Sequence, residues 1–219
     1  MTNPNLSEII CIIDRSGSME FIRADAIGGF NTFLKEQQEV PGECKFTYTQ
    51  FDTEYEVVHD GIDIKDMKPL TEETYVPRGG TALLDAIGRT VNTVGARLAN
   101  TPEDQRPSKV IVVILTDGHE NSSQEFSRDK IFEMITTQRE QFQWEFVFLA
   151  ANQDAIAVGA GLGIAAHAAA NFSFDSAGMY QGYDNVSEAI TSYRTNTSSR
   201  LEVDDATSGP KSRGSSVKH

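Results

Sequence analysis

Positive charge is scarce in this chain: 19 Lys and Arg stand against 32 Asp and Glu in 219 residues, a formal net charge of −13 at pH 7. Such a surface repels phosphate backbones and anionic lipid, and no basic run interrupts it, so neither nucleic acid nor membrane is expected as a partner. Cysteine is nearly absent. Cys11 and Cys44 both fall in strand-like runs and read as small buried hydrophobes rather than as a disulfide or metal pair. Long apolar runs are missing too. Ile9–Ile13 is too short for a signal-peptide core or a membrane span, and the residues before it carry no basic segment, so the expected compartment is the cytoplasm. The Asn-x-Ser triplets at Asn121 and Asn185 then have no glycosylation role. There is no Gly-x-Ser-x-Gly elbow to activate a serine. Gly159-Ala160-Gly161-Leu162-Gly163 lies past its strand with the wrong spacing for a dinucleotide loop.

What remains is the composition of an ordinary globular domain, 39% hydrophobic and 23% charged. Strand-like and helix-like segments alternate, which points to crossover units and a mostly parallel sheet. Ser7–Asp14 and Lys109–Leu115 are dense apolar runs, as strands covered on both faces would be. Glu43–Phe51 and Glu54–Asp60 flank a tight Asp52-Thr53 turn and read as an antiparallel pair. Trp144–Ala151 and Ala168–Phe174 read as the last two strands. Helices are expected over Met19–Val40, Ala82 to about Asn100, Ser127–Phe142, Asp154–Leu162 and, from the spacing of Met179, Tyr183, Val186, Ile190 and Tyr193, at the end of the domain. Gly28 and Gly29 within the first helix imply close packing, read as packing on the sheet. Ile131, Ile135 and Phe142 are expected on one face of the Ser127–Phe142 helix. One domain is expected over residues 1–200, with a flexible tail over 201–219.

The first strand ends in Asp14-Arg15-Ser16-Gly17-Ser18, one carboxylate and two hydroxyls on a turn that enters a helix. The fourth strand ends in Thr116-Asp117-Gly118, and Arg78-Gly79-Gly80-Thr81 sets a hydroxyl before another helix. In open α/β sheets the carboxyl ends of the strands form the ligand crevice. Asp14, Ser16, Ser18, Thr81 and Asp117 supply oxygen alone, without Cys or His, a set that suits Mg²⁺, Mn²⁺ or Ca²⁺ rather than Zn²⁺. The bland alternatives are solvated turn carboxylates for Asp14 and Asp117 and helix N-capping for Ser16, Ser18 and Thr81. Asp85, Glu20 and Glu120 read as exposed charges and His119 as a solvated loop residue.

These five residues together resemble the metal-ion-dependent adhesion site of von Willebrand factor A domains, over roughly residues 6–195. Asp14, Ser16 and Ser18 match the family's Asp-x-Ser-x-Ser element, Thr81 its isolated Thr and Asp117 its second Asp. The resemblance implies a Rossmann-like, doubly wound six-stranded sheet in the order 3-2-1-4-5-6, with strand 3 antiparallel at the edge. It implies a metal on the upper rim held directly by the hydroxyls, with Asp ligands acting partly through water. It also implies a non-enzymatic module that binds an Asp or Glu of a partner protein. Glu120, Asn121, Asn152, Gln153 and Asp154 are candidate partner contacts on the same rim. Two other readings stay open: a structural subunit of a larger assembly, and an Mg²⁺-dependent aspartyl-phosphate hydrolase or phosphotransferase. The second is disfavoured because Ser16 stands where such enzymes usually place another acid.

Overall fold

A computed structural model describes residues 1–151 and 154–204. Six strands, β1 (Asn3–Asp14), β2 (Glu43–Phe51), β3 (Tyr55–Asp63), β4 (Pro107–Thr116), β5 (Glu145–Ala150) and β6 (Ala169–Asn171), form one sheet in the order β3-β2-β1-β4-β5-β6. Every neighbouring pair is parallel except β2 with β3, so β3 is the antiparallel edge strand. The helices are α1 (Arg23–Glu39), α2 (Leu83–Asn100), α3 (Arg128–Phe142), α4 (Ala155–Gly161) and α5 (Ser176–Arg194). Among the described residues no helix is long and apolar enough to cross a membrane.

Period-two alternation of side chains explains why the apolar runs have no polar face. Ile9, Cys11 and Ile13 of β1 enter the core beneath α1 and α5, while Ile10 and Ile12 enter the core beneath α2 and α3. On β4, Ile111, Val113 and Leu115 follow the first set, and Val110, Val112 and Ile114 the second. Cys11 and Cys44 are buried free thiols, and burial raises the pKa of both. The register pairs Ile9 with Ile111 and Ile13 with Leu115, so the residues that end β1 and β4 emerge side by side.

Four expectations need correction. Gly28 and Gly29 do not pack on the sheet; they admit Tyr180 and Tyr183 of α5, and a Cβ on Gly29 would lie 2.5 Å from Tyr183 Cδ2. Phe142 is 60% exposed, because the chain turns at Gln143 (φ 57°) and Trp144 is buried instead. Strand β6 spans only Ala169–Asn171, although Phe172 beyond it is buried. The tail cannot begin at 201, since Leu201 and Val203 are buried in the core and the Val203 amide donates to His167 O at 2.9 Å. Residues 205–219 lie outside the described residues.

The contrast between two helical glycines gives a test of the α1–α5 contact. Gly29→Ala is expected to destabilise the protein by ~1–3 kcal/mol through overpacking against Tyr183. Gly95→Ala on α2, whose Cβ would meet nothing closer than Gln138 Nε2 at 3.9 Å, is expected to stabilise it by about 0.5–1 kcal/mol. Urea unfolding of the two variants checks both signs.

Candidate metal centre

The β1–β4 junction is the point where the chain order reverses across the sheet, with β1 leading to β2 on one side and β4 leading to β5 on the other. Asp14, fully buried, accepts the Ser16 amide at 2.6 Å on Oδ1 and the Thr116 hydroxyl at 2.6 Å on Oδ2. The Tyr75 hydroxyl donates to the Asp14 carbonyl. Asp117, 2% exposed, accepts the Ser18 hydroxyl at 2.9 Å, and Ser18 Oγ lies 3.2 Å from Ser16 Oγ. A Cβ on Gly118 would stand 3.3 Å from Thr81 Oγ1 and 3.9 Å from Ser18 Oγ, so all three loops converge on one volume.

The capping alternative fails for two of the hydroxyls. Ser16 is the N-cap of the 3₁₀ segment Gly17–Ile22, but its side chain caps nothing. Helix α2 begins one residue later than expected, at Leu83, so its N-cap is Ala82 and Thr81 has no capping role. Thr81 Oγ1 bonds to no described atom. Three hydroxyls and two carboxylates therefore face one another with hard oxygen alone, the donor chemistry that fits Mg²⁺, Mn²⁺ or Ca²⁺. Among the described residues no group of three or more His, Cys, Asp or Glu is placed to hold a metal; this cluster contains only two carboxylates.

Burial penalises both charges. It raises Asp14 from 3.8 to about 7, with the Asp117 charge adding to the rise and hydrogen bonds from Thr116 and Ser16 opposing it. Asp117 is raised by burial as well, against the Ser18 bond. Asp14 forms no ion pair with a described residue.

A second layer holds the loops in register. Arg15, the residue inside the Asp-x-Ser-x-Ser turn, is 6% exposed and donates through Nε to Asp52 at 2.8 Å. Asp52 also accepts Arg78 Nε at 3.0 Å, and its carbonyl accepts the Ala82 amide at 3.0 Å. The Arg78 amide returns to the Arg15 carbonyl, and the Gly17 amide to the Gly79 carbonyl. Although burial raises the Asp52 pKa, the Glu54 amide and the two arginines lower it overall. Gly79 at φ +66° and Gly80, where a Cβ would meet the Asn121 and Ser122 side chains, allow the Thr81 loop to lie this close. Sequence reasoning missed Asp52, Arg78 and Tyr75; each acts on a residue at least 26 positions away, with no local signature.

The candidate rim residues have varied surroundings. Asn121 Oδ1 accepts the Thr81 amide at 2.9 Å, and Glu120 accepts the Leu84, Ser122 and Ser123 amides. Asp85, read from sequence as exposed, is 8% exposed and accepts the amides of Gln124, Glu125 and Phe126. Asp154 caps α4 through the Ala157 amide. Asn152 and Gln153 lie outside the described residues.

This topology recurs in solved structures. A von Willebrand factor type A protein of Catenulispora acidiphila superposes with TM-score 0.53 at 15% identity, covering 84% of this chain and 42% of that one. The chain has the von Willebrand factor A-type fold. The PilB minor pilin of Streptococcus sanguinis matches with TM-score 0.60 at 10% identity, over 88% of this chain and 63% of its own. The manganese-loaded TRAP protein of Plasmodium vivax matches with TM-score 0.52 at 17% identity, over 69% and 59%. The chain thus spans less than two thirds of each of these proteins. No protein-family model and no curated protein matches its sequence.

The raised Asp14 pKa sets a pH dependence in chelator. An acid whose folded pKa lies above its unfolded value contributes stability that is fully present below the unfolded pKa, 3.8, and is lost as pH rises through about 7. Wild type in EDTA should therefore lose stability relative to Asp14→Asn between about pH 5 and about pH 8. Urea titrations of both proteins at the two pH values measure the difference; parallel curves would mean that Asp14 is ionised in the fold throughout.

Proposed function

We propose that this domain is a divalent-cation-dependent protein-binding module, with Asp14, Ser16, Ser18, Thr81 and Asp117 holding the ion, Mg²⁺ or Mn²⁺ for preference. The observation that carries the reading is the pair of hydroxyls on Ser16 and Thr81 that cap no helix yet face two buried carboxylates. The manganese-loaded protein of the same fold supports the metal class. A bound ion supplies an electrophilic coordination position for an anionic oxygen. Two carboxylates, one kept largely in a hydroxyl cage, leave such an ion under-neutralised, so a partner Asp or Glu is the natural further ligand. The protein needs no bond chemistry for this role.

Phe21 favours a specific mode of contact. In a 3₁₀ helix, residues three apart lie on one face. Met19 and Ile22 form the buried face of Gly17–Ile22, and Ser18 and Phe21 form an outer one. Phe21 is 86% exposed, an apolar surface next to the ion's ligand Ser18. The partner segment then pairs its acid with a neighbouring apolar side chain.

Calorimetry is expected to show one Mg²⁺ or Mn²⁺ site that is lost in the double variant Ser16→Ala, Ser18→Ala. Partner captured in Mg²⁺ should be released by EDTA, and Thr81→Ala should weaken capture by a few kcal/mol, about the loss expected when a charge-assisted contact loses one member. Phe21→Ser should weaken capture while leaving Mg²⁺ affinity unchanged. Partner binding at full strength in EDTA would overturn the proposal.

A further inference from the structure

At the opposite pole from the metal site, the amino-terminal ends of β1, β2 and β4 and the end of α5 enclose a cavity of about 690 Å³. Arg194 lines it and is 8% exposed. Its Nε donates to Ser7 Oγ at 3.1 Å, and its Nη1 to the Gln37 carbonyl at 2.8 Å and to Gln37 Oε1 at 3.0 Å. All of these acceptors are neutral. Nη2 donates to no described atom, yet it is not sealed from the cavity. Lys109, on the same wall, donates to the Tyr193 and Arg194 carbonyls and to Asn196 Oδ1, again neutral acceptors.

Two adjacent cations therefore lie in this cavity with no ion pair to a described residue, in a chain whose 32 acids outnumber its 19 bases. Glu43 and Asp63 also line the cavity, but neither is within ion-pair distance of Arg194 or Lys109. Asp63 is instead turned to the Lys65 amide at 3.0 Å. A buried guanidinium without a counter-charge is costly, and each cation further disfavours the other; burial lowers the pKa of both, with Arg194 adding to the effect on Lys109. Two positive charges match one dianion. A phosphate group carries about −1.5 to −2 at neutral pH, whereas a carboxylate carries half of that. The cavity also has room beyond a bare phosphate for the group that bears it.

We propose that this basal cavity binds a phosphate group, held by Arg194 Nη2, with Lys109, whose three N–H groups are already engaged, contributing its charge beside it and Lys65 at the mouth. The site is independent of the metal-binding reading and of its failure, because none of its residues touches the rim.

The test uses the full chain in EDTA, with ¹H–¹⁵N spectra recorded at constant ionic strength during titration with inorganic phosphate, with the monoester phosphoserine and with acetate. Saturable shifts clustered on residues around 5–7, 43–44 and 194–196, stronger for either phosphate than for acetate, are expected. Tighter binding of phosphoserine than of inorganic phosphate would assign the site to a phosphate monoester, and the reverse to the free ion. Arg194→Gln and Lys109→Gln should each weaken binding by about tenfold or more. Should either variant fail to fold, Lys65→Glu, at an exposed position, should still weaken it measurably. Acetate binding as well as phosphate, shifts scattered over the surface, or affinity unchanged in every folded variant would overturn the proposal.

Discussion

Two carboxylates at the ends of neighbouring strands, Asp14 as the last residue of β1 and Asp117 just after β4, are buried in one small volume, and the upper half of the domain is organised around keeping them there. The in-register pairing of β1 with β4 brings them together, and Thr116, the last residue of β4, reaches across to Asp14. Hydroxyls and amides solvate the pair in place of water, but they do not neutralise it. Burial pushes Asp14 towards a protonated form, and a cation bound among these oxygens would favour the ionised form again.

Such a cage has value only if its three loops hold their relative positions. Asp52 ties Arg15 of the first loop to Arg78 of the second, while Asn121 and Glu120 tie the loop after β4 to Thr81 and the start of α2. Asp85 fixes the far end of that loop. Several acids that contribute to the negative charge are thus structural, each accepting bonds from backbone amides or arginines. Phe21 is left on the outer face with Ser18, 86% exposed, and no described residue covers it.

Much of this architecture is legible along the chain. Strands β1 and β4 read out because both faces are buried and the apolar run is unbroken, and α2 because its buried positions recur at three- and four-residue steps. The oxygen set was visible because each member sits at a strand end or beside a double glycine. Partnership across space was not. Nothing near Gly28 and Gly29 distinguishes a neighbouring helix from a sheet, and nothing near Leu201 and Val203 offsets the polar residues around them. The acidic composition likewise concealed Arg194 and Lys109, which lie 85 residues apart and meet only at the base of the sheet.

The proposed ion lies among the hydroxyls of Ser16, Ser18 and Thr81. Anomalous scattering from crystals soaked in Mn²⁺ measures this directly. A single strong peak at bonding distance from those three oxygens, with Asp14 and Asp117 bonded to it or to its waters, is expected. No peak there, or a sole peak on Asp85, Glu120 or another surface acid, would contradict it.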